Sequence, residues 1–307
     1  MTDPGLTLRK LKLPDGTAPR IGGIRLAIGG AGMELIYALP GPAASPTAAL
    51  PYEVAFWSLP LDGTAAPVLR ATVPQLFPGA PAWDWDHQRV VYEQAGGARN
   101  ALHVHDAHGD KLVNAAHRLN GFDLPRFVRG DEKQISAFLD LLPGHRLVVF
   151  PDVGAKYRAV TDCTAAVLLK RDGGFVLVSK TDLEGPMKGS NVFPGVFHHA
   201  WLKSDFSPDG PTSHQAAVTI YELDAVLIDG NLIAWLTTDT GALMIAGASK
   251  PAGIERMRTR VVAVAPTPSW PAVCARAGEV AFALVAAAGT PAAEVQVARA
   301  PVAALLK

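Results

Sequence analysis

The 307-residue sequence has no excess of either charge, because 28 Lys and Arg residues balance 28 Asp and Glu residues. No run of basic residues is longer than two. Proteins that bind nucleic acids through phosphate contacts usually carry a basic surface. The charge balance therefore predicts that nucleic acid is not a general partner of this protein.

Long apolar runs are missing as well. The longest, Val280 to Ala288, is about half the length of the roughly 18 residues that a membrane-spanning helix needs. The N-terminal Met-Thr-Asp-Pro-Gly has neither the basic start nor the apolar stretch of a secretory signal. We therefore expect no membrane partner and a cytoplasmic location.

Cysteine is rare, with Cys163 and Cys274 as the two residues of this type. Secreted proteins that depend on a disulfide framework usually contain more. We interpret both residues as buried, reduced thiols. One disulfide between them is the alternative that the sequence leaves open.

What the sequence does contain is a series of short apolar runs separated by turn residues. The 29 Gly and 25 Pro residues are scattered along the chain, and hydrophobic residues make up 49% of it. Asp172-Gly173-Gly174 separates two such runs and is a typical hairpin signal. The pattern predicts an all-β fold with a sizeable core.

One segment has helical rather than strand-like spacing. Apolar residues from Ile135 to Leu142 recur at i, i+3, i+4 and i+7, which would give a helix one apolar face. Pro143 would end it. We therefore expect a single helix over Asp131 to Leu142.

Two segments share a repeated pattern. Residues 81–111 contain Trp83-Asp-Trp-Asp-His-Gln-Arg-Val-Val-Tyr followed by a strand and a turn, and residues 268–300 repeat the Pro-x-Trp and the strands. With the Ser-Pro-Asp-Gly at 207–210, this pattern resembles the blade of TolB-type, WD-repeat-like β-propellers. At roughly 40–50 residues per blade, the resemblance implies one propeller domain over residues 1–307, with about six blades and seven as the alternative.

Three histidines, His103, His105 and His108, form a candidate metal site. Alternate residues of a strand share one face, so His103 and His105 would project together, and His108 could join them from the following turn. Imidazole is a common ligand of transition metals. The reading that we favour is an exposed polar face of a strand, without any cofactor; a divalent metal at these histidines is the alternative.

A second group of candidates lies in residues 189–214, a stretch punctuated by Gly and Pro. Loops on a rigid scaffold often carry function, so we predict a binding loop there; a packed connection between blades is the alternative. The candidate binding residues are His198, His199, Trp201, Asp205 and His214.

No nucleophile motif such as Gly-x-Ser-x-Gly is present. The first hypothesis is therefore a non-catalytic scaffold that binds a protein or peptide partner through its loop face. One alternative is a small-molecule hydrolase of the lactonase type, with a central metal near residues such as Glu93, Asn191 and Asp209. The other is a carbohydrate-binding propeller, which six Trp and five Tyr residues would allow.

Overall fold

The computed structural model describes residues 9–11, 13, 23–30, 32–41, 53–63, 65–74, 76, 82–94, 101–114, 122–141, 144–182, 195–210, 212–218, 223–228, 232–237, 242–247, 258–261, 269–286 and 293–305. In these residues the strands form six four-stranded sheets, and one short helix follows the last strand. The all-β class predicted from the sequence is therefore confirmed. Contacts between residues divide the chain into two compact units, which are described separately.

The N-terminal unit, as we call it, comprises residues 12–128 and 132–161. It contains three sheets, each built from four strands that follow one another in the chain. The strands are β2 (Ile24–Gly29), β3 (Gly32–Pro40), β4 (Val54–Pro60) and β5 (Val68–Val73); β6 (Trp83–Asp86), β7 (Arg89–Gln94), β8 (Ala101–Asp106) and β9 (Gly109–Asn114); and β10 (Phe122–Phe127), β11 (Ile135–Leu141), β12 (Gly144–Phe150) and β13 (Arg158–Asp162). The first strands of the sheets are neighbours, β2 beside β6 and β6 beside β10.

The C-terminal unit comprises residues 1–11, 129–131 and 162–307. Two of its sheets use consecutive strands, whereas in the third β1 pairs antiparallel with β24, so residues from both ends of the chain share one sheet. The strands are β1 (Arg9–Leu11); β14 (Ala165–Arg171), β15 (Gly174–Asp182), β16 (Gly195–Lys203) and β17 (Ser213–Val218); β18 (Leu223–Ile228), β19 (Leu232–Thr237), β20 (Ala242–Gly247) and β21 (Arg258–Val261); and β22 (Ser269–Arg276), β23 (Glu279–Ala286) and β24 (Glu294–Pro301), with the helix α1 (Val302–Leu305) after them.

The hairpin predicted at Asp172-Gly173-Gly174 is confirmed as the link between β14 and β15. Gly173 has a φ of +77°, a conformation that glycine adopts without steric cost. A side chain at Gly174 would collide with the backbone carbonyl of Leu202 in the next strand, β16. The two adjacent glycines are therefore required for different reasons, one by its backbone conformation and the other by close packing.

The helix predicted over Asp131 to Leu142 is wrong, because Ile135–Leu141 form β11, the strand between β10 and β12. Residues 135–139 are buried without interruption. This is the pattern of a central strand that is covered on both faces. A short apolar run of this kind also matches helical spacing, and periodicity alone does not separate the two structures.

Aromatic side chains join the first two sheets of the N-terminal unit. Phe56 of β4 lies edge-on against Trp83 of β6, with 4.9 Å between the ring centroids, and 6.1 Å from the ring of Trp85. All three residues are buried. Such aromatic pairs contribute about 0.5–1.5 kcal/mol beyond the burial of their surface. The two tryptophans therefore stabilise the contact between sheets.

A buried carboxylate links the first strands of all three sheets in this unit. Asp84 of β6 accepts hydrogen bonds from Nε of Arg25 in β2, at 2.8 Å, and from the backbone N–H of Phe127 in β10, at 2.9 Å. The side chains of Arg25 and Asp84 are 3% and 0% exposed. We call this arrangement of Arg25, Asp84 and the Phe127 amide the Asp84 clamp.

Arg25 makes further contacts besides its bond to Asp84. Its two Nη groups donate to the carbonyls of Ile24 and Trp83, each at 2.7 Å, and its guanidinium lies 4.9 Å from the centre of the Trp83 ring. A buried ion pair offsets the cost of its desolvation only when the geometry is good and further hydrogen bonds satisfy both partners. The Asp84 clamp meets this condition.

The C-terminal unit contains a similar arrangement around Asp224. This residue is second in β18, as Asp84 is second in β6, and it accepts a hydrogen bond of 2.8 Å from the backbone N–H of Val273 in β22. The guanidinium of Arg129 lies 3.7 Å from its carboxylate. A buried aspartate at this position therefore joins first strands in both units.

Replacing the carboxylate of the Asp84 clamp should destabilise the protein strongly. Asp84→Ala leaves the guanidinium of Arg25 buried without its counter-ion, so we expect the free energy of unfolding to fall by about 3–5 kcal/mol. Urea unfolding followed by circular dichroism measures this change. The control is Glu279→Gln, which removes the exposed ion pair with Arg299 and should cost about 1 kcal/mol or less. Equal losses in the two variants would contradict the role assigned to Asp84.

Both cysteines are free and buried, as interpreted from the sequence. Burial is the main cause that raises the pKa of the Cys163 thiol far above its usual range, and that of Cys274 to about 12. Nucleophilic cysteines have the opposite property, a lowered pKa. In the part of the chain that the structure describes, no helix is long and apolar enough to span a membrane.

Candidate functional site

A cavity in the N-terminal unit lies where the ends of two sheets meet. Its volume is about 550 Å³, and β5 supplies one part of its wall while the turns of the β6–β9 sheet supply the rest. We call it the turn pocket. The residues that line it are Arg70, Ala71, Trp85, His87, Gln88, Arg89, His105, Asp106, Ala107 and His108.

The turn between β6 and β7 places His87 and Gln88 at the pocket. Both residues have positive φ, 48° and 59°, as a two-residue hairpin turn of the favoured type requires. Asn-Gly usually occupies such turns, and side chains like those of His and Gln are uncommon there. The carboxylate of Asp86 stabilises the turn by accepting the backbone N–H of His87, at 3.0 Å. Backbone strain is therefore stored at the pocket, a feature frequent at functional sites.

His105 and Trp85 form one wall of the turn pocket. Both are paired in register with Val90, so the three side chains share one face of the sheet. That face packs on the first sheet, because Trp85 and Val90 belong to a buried cluster that includes Phe56 of β4. The Nδ1 atom of His105 is buried and has no hydrogen-bond partner among the residues that the structure describes.

Arg70 of β5 forms the opposite wall. Its Nε donates to the hydroxyl of Ser58 at 2.7 Å, and its Nη2 donates to both carboxylate oxygens of Glu34, at 3.2 and 3.1 Å. Glu34 is buried, whereas about a third of the Arg70 side chain is exposed, at 34%. Because these bonds use Nε and Nη2, the Nη1 group of Arg70 is the one that can donate to a ligand.

Asp106 contributes a carboxylate to the lining, and this group already accepts hydrogen bonds from the protein. One of its oxygens accepts a hydrogen bond from Lys111 at 2.6 Å and the other accepts the backbone N–H of His108 at 2.8 Å. The hydrogen bond from Lys111 is the main cause that lowers the pKa of Asp106. The carboxylate is therefore ionised at neutral pH and turned toward its own hairpin.

Arg89 reaches the lining but its guanidinium is directed elsewhere. It neighbours Val90 in β7, so its side chain leaves from the other face of the sheet. There it lies 4.8 Å from the ring centre of Phe127 in β10. The polar groups that the pocket offers to a ligand are therefore those of Arg70, His105 and the residues of the two turns.

The predicted pairing of His103 and His105 on one strand face is confirmed, because both approach Asp110. Nδ1 of His103 lies 2.7 Å from one carboxylate oxygen and Nδ1 of His105 lies 4.0 Å from the other. The hydroxyl of Tyr92 also donates to Asp110, at 2.8 Å. Asp110 therefore holds His103 and Tyr92 by hydrogen bonds, while His105 lies beyond hydrogen-bond distance.

The metal prediction for His103, His105 and His108 gains no support from this geometry. Within the described ranges, no three His, Cys, Asp or Glu side chains are arranged to hold a metal ion. His108 instead contributes its backbone N–H to the β8–β9 turn and lines the turn pocket.

The binding loop predicted at residues 189–214 is largely a pair of strands. His198, His199 and Trp201 lie in β16, His214 lies in β17 opposite His198, and Asp205 lies in the turn between the two strands. Residues 189–194 lie outside the described residues. Gly and Pro suggested a loop, but Gly195–Lys203 pair along their whole length with β15.

His199 and Trp201 share the buried face of β16, whereas His198 projects from the other face and lies 2.6 Å from the hydroxyl of Thr181. Burial is the main cause that lowers the pKa of His199 to about 3, and the neighbouring His198 adds to it. The indole of Trp201 is covered by the guanidinium of Arg171, 5.2 Å from the ring centre. Both residues contribute to the packing of the sheet; whether they bind a ligand stays a prediction.

Asp205 is engaged in its own turn. Its carboxylate accepts hydrogen bonds from the backbone N–H of Ser207 at 2.9 Å and from the Ser207 hydroxyl at 2.6 Å. The side-chain hydrogen bond from Ser207 is the main cause that lowers the pKa of Asp205. Such aspartate-centred turns stabilise tight links between strands.

Two of the residues suggested for a lactonase-type metal site also have local partners. Glu93 accepts a hydrogen bond from the backbone N–H of Leu124, at 3.0 Å. Asp209 lies 3.3 Å from the guanidinium of Arg171. The third, Asn191, lies outside the described residues.

Sequence reasoning missed most of the turn pocket. It singled out His105 and His108, but it did not identify Arg70, Trp85, His87 or Gln88 as pocket residues. The available signal was His87-Gln88, two residues between apolar strands where Asn-Gly would be expected. Arg70 gave no signal, because its place in the pocket depends on contact between two sheets.

Comparison with known proteins identifies the fold. No family model and no curated protein matches the sequence. The α-L-arabinanase of Penicillium chrysogenum, solved with arabinobiose, matches with a TM-score of 0.61 and 12% identity over 97% of this chain and 99% of that chain. The α-L-arabinofuranosidase Arb93A from Fusarium graminearum, solved with an iminosugar inhibitor, gives 0.62 and 10% over 99% of each chain. A Trypanosoma rangeli sialidase with 2,3-difluorosialic acid gives 0.52 and 10% over 99% of this chain and 60% of that chain.

At identities this low, the likeness shows the fold alone. The protein has a β-propeller fold, as the sequence resemblance implied. The narrower assignment to the TolB-type, WD-repeat-like propellers is not supported by these structures and stays a prediction.

The buried histidine of β16 should make the stability of the protein sensitive to acid. Because the unfolded chain binds a proton near pH 6.5 and folded His199 near pH 3, stability is lost as the pH falls through this interval. At about 1.4 kcal/mol per pKa unit, the loss from this residue between pH 7 and pH 5 is about 2 kcal/mol. Urea unfolding at both pH values measures it.

His199→Gln should remove this part of the pH dependence, whatever its effect on stability at neutral pH. The control is His198→Gln on the other face of the same strand, which should leave the dependence in place. An unchanged difference between pH 7 and pH 5 in His199→Gln would show that this histidine is not the group responsible.

Proposed function

We propose that this protein is a carbohydrate-binding propeller and that the turn pocket is a site that takes a saccharide. The observation that carries the proposal is the pocket itself, a cavity of about 550 Å³ lined by polar side chains around a buried indole. Pockets for small molecules have volumes of about 300–1,000 Å³. The turn pocket thus has room for one or two sugar units.

The size of the pocket favours a small ligand over the protein or peptide partner expected first from the sequence. Stable protein interfaces bury about 800 Å² on each partner and are not confined to a cavity. The partner-binding scaffold therefore becomes the second candidate, and the carbohydrate-binding alternative becomes the first.

The chemistry of the lining suits a polyhydroxylated ligand. Arg70 presents a donor from one wall, His105 lines the other, and Gln88 can both donate and accept. Trp85 adds apolar surface between these groups. A sugar ring has this same combination of hydroxyl groups at its edge and C–H groups on its faces.

Binding without cleavage is the activity that we propose for this pocket. Glycoside hydrolysis usually needs two carboxyl groups, one of them protonated to act as the acid. The lining contributes the carboxylate of Asp106, which Lys111 keeps ionised. This donor set matches recognition of a saccharide, and the described residues of the lining do not supply the acid.

The structural comparisons support a carbohydrate ligand by analogy. The matched arabinanase was solved with arabinobiose, and the matched arabinofuranosidase with an iminosugar inhibitor. Because a shared fold does not imply a shared function, the pocket is the main support. We also infer that each four-stranded sheet is one blade, which gives six blades.

A glycan microarray probed with the labelled full-length protein tests the proposal. We expect binding to a subset of immobilised glycans that soluble glycan of the same kind competes away. Lys10→Gln, an exposed substitution in the other unit, should bind as the wild type does. If the folded protein binds no glycan above background, the proposed function is wrong. Release of 4-nitrophenol from 4-nitrophenyl α-L-arabinofuranoside by the wild type but not by Asp106→Asn would overturn binding without cleavage.

Gln88→Gly separates the stability of the turn from its use in binding. Glycine relieves the positive φ at this position, so we expect stability to rise by about 1 kcal/mol. Loss of the amide should weaken binding to the glycans identified on the array by about fivefold or more, the worth of one neutral hydrogen bond. Thermal unfolding and calorimetric titration measure the two effects. Binding as tight as that of the wild type would place the glycan site elsewhere.

A further inference from the structure

We infer that the turn pocket selects an uncharged saccharide, because residues outside the lining neutralise the charges within it. This selectivity rests on the proposed function, since it concerns the class of saccharide that the same site would take. The residues that determine it are Glu34, which is paired with Arg70, and Lys111, which is paired with Asp106. Neither Glu34 nor Lys111 belongs to the lining itself.

The fixed charges of the lining are few. Among its described residues, Arg70, Arg89 and Asp106 carry one. The guanidinium of Arg89 lies on the other face of its sheet, 4.8 Å from the ring centre of Phe127. Arg70 and Asp106 therefore decide which charge a ligand meets in the cavity.

Glu34 neutralises the charge of Arg70 from outside the lining. Nη2 of Arg70 lies 3.2 and 3.1 Å from the two carboxylate oxygens, and the Glu34 side chain is 7% exposed. Because solvent ions screen a partly buried pair only weakly, the two residues act on a ligand as a dipole rather than as a cation. Nη1 of Arg70 can still donate a hydrogen bond, and a sugar hydroxyl can accept it.

Local structure prepares this ion pair. A Cβ added at Gly29, in the neighbouring strand β2, would overlap the carboxylate of Glu34. Arg70 is the extra residue of a β-bulge in the pairing of β4 with β5, and bulges re-aim side chains. Its Nε then donates to the hydroxyl of Ser58 at 2.7 Å. Glycine in one strand and a bulge in another therefore bring the two charges together beside the pocket.

Lys111 of β9 neutralises Asp106 in a similar way. Its Nζ lies 2.6 Å from one carboxylate oxygen, and the backbone N–H of His108 donates to the other at 2.8 Å. Each oxygen of Asp106 therefore has a donor from the protein. The ammonium group of an amino sugar would have to compete with Lys111 for this carboxylate.

A charged saccharide would lose water in this cavity and find no uncompensated charge in return. Burying a charge costs free energy unless it is paired. An uncharged saccharide avoids this cost, because its hydroxyl groups need hydrogen bonds alone. Nη1 of Arg70 and the amide of Gln88 can supply them.

Three methyl β-D-glycosides that differ at C6 test the inference by calorimetric titration of the full-length protein. They are the glucoside with its hydroxyl, the glucuronide with a carboxylate and the 6-amino-6-deoxy sugar with an ammonium group. At pH 8 histidine side chains are mostly uncharged. We expect the glucoside to bind at least about tenfold more tightly than either charged sugar. Equal or tighter binding of a charged sugar would overturn the uncharged class while a saccharide site stands.

Glu34→Gln should reverse the discrimination against the acidic sugar. It removes the negative charge beside Arg70 but keeps an oxygen that accepts hydrogen bonds. Arg70 is then an uncompensated cation, so the affinity for the glucuronide relative to the glucoside should rise by about tenfold or more. The matched control is Glu279→Gln, the same substitution in the other unit, which should keep the wild-type order. A folded Glu34→Gln protein that keeps this order would contradict the role of Glu34.

Lys111→Gln tests the second ion pair and does not depend on the stability of Glu34→Gln. The Lys111 side chain is 42% exposed, so we expect the fold to be retained, as circular dichroism will show. The affinity for the 6-amino sugar relative to the glucoside should rise by about threefold or more, because Asp106 loses its counter-ion. Lys10→Gln is the control for this substitution and should show no such rise. An unchanged ratio in Lys111→Gln would contradict the role of Lys111.

The glycan array distinguishes failure of the uncharged class from failure of the proposed function. Acidic or amino glycans among those that the wild type retains would overturn the uncharged class, while the saccharide site stands. If the folded protein retains no glycan, the proposed function fails. Inorganic sulfate then tests the compensation of Arg70 by itself. Sulfate binding by Glu34→Gln but not by the wild type would support this compensation, and any other result would contradict it.

Discussion

The buried carboxylate of Asp84 is the interaction on which the N-terminal unit depends. One side chain joins three first strands, by an ion pair with Arg25 in β2 and a hydrogen bond to the amide of Phe127 in β10. Each four-stranded sheet is held internally by its own backbone ladder. These hydrogen bonds within a sheet do not fix the distance between sheets. A polar contact of fixed geometry does, whereas apolar packing alone would allow the sheets to slide.

The shape of the turn pocket depends on the Asp84 clamp. Its two walls belong to different sheets, Arg70 to the first and His105 to the second, so the distance between them depends on how those sheets are joined. The Asp84 clamp joins them at β2 and β6, and the Phe56 and Trp83 rings fill the space between. Binding sites work best when rigid elements hold their side chains in place. The pocket has such support on both sides, and only its rim is made of turns.

The sequence predicts local features of this protein well and contacts between sheets poorly. The hairpin at Asp172-Gly173-Gly174 and the shared face of His103 and His105 depend on neighbours in the chain, and both are confirmed. Within the helix predicted over 131–142 and the loop predicted over 189–214, Ile135–Leu141 and Gly195–Lys203 are strands, because pairing with adjacent strands decided their structure. The place of Arg70 beside His105 is invisible in the sequence, since it requires knowing which sheets touch. Asp84 lies between the two tryptophans of the repeated motif, and nothing in the sequence marks it as the residue that joins three strands.

Asp84 and Asp224 hold equivalent places in the two units, and each shows how a buried carboxylate joins neighbouring sheets. Both residues are second in a first strand and both accept a backbone N–H from the first strand of the next sheet. The difference is the cation. Arg25 contacts Asp84 at 2.8 Å and donates from both of its Nη groups to backbone carbonyls, whereas the guanidinium of Arg129 lies 3.7 Å from Asp224. A short ion pair tolerates less displacement than a long one, because its energy falls steeply as its hydrogen bond lengthens. The Asp84 clamp therefore holds the first two sheets, and with them the two walls of the turn pocket, at a fixed distance.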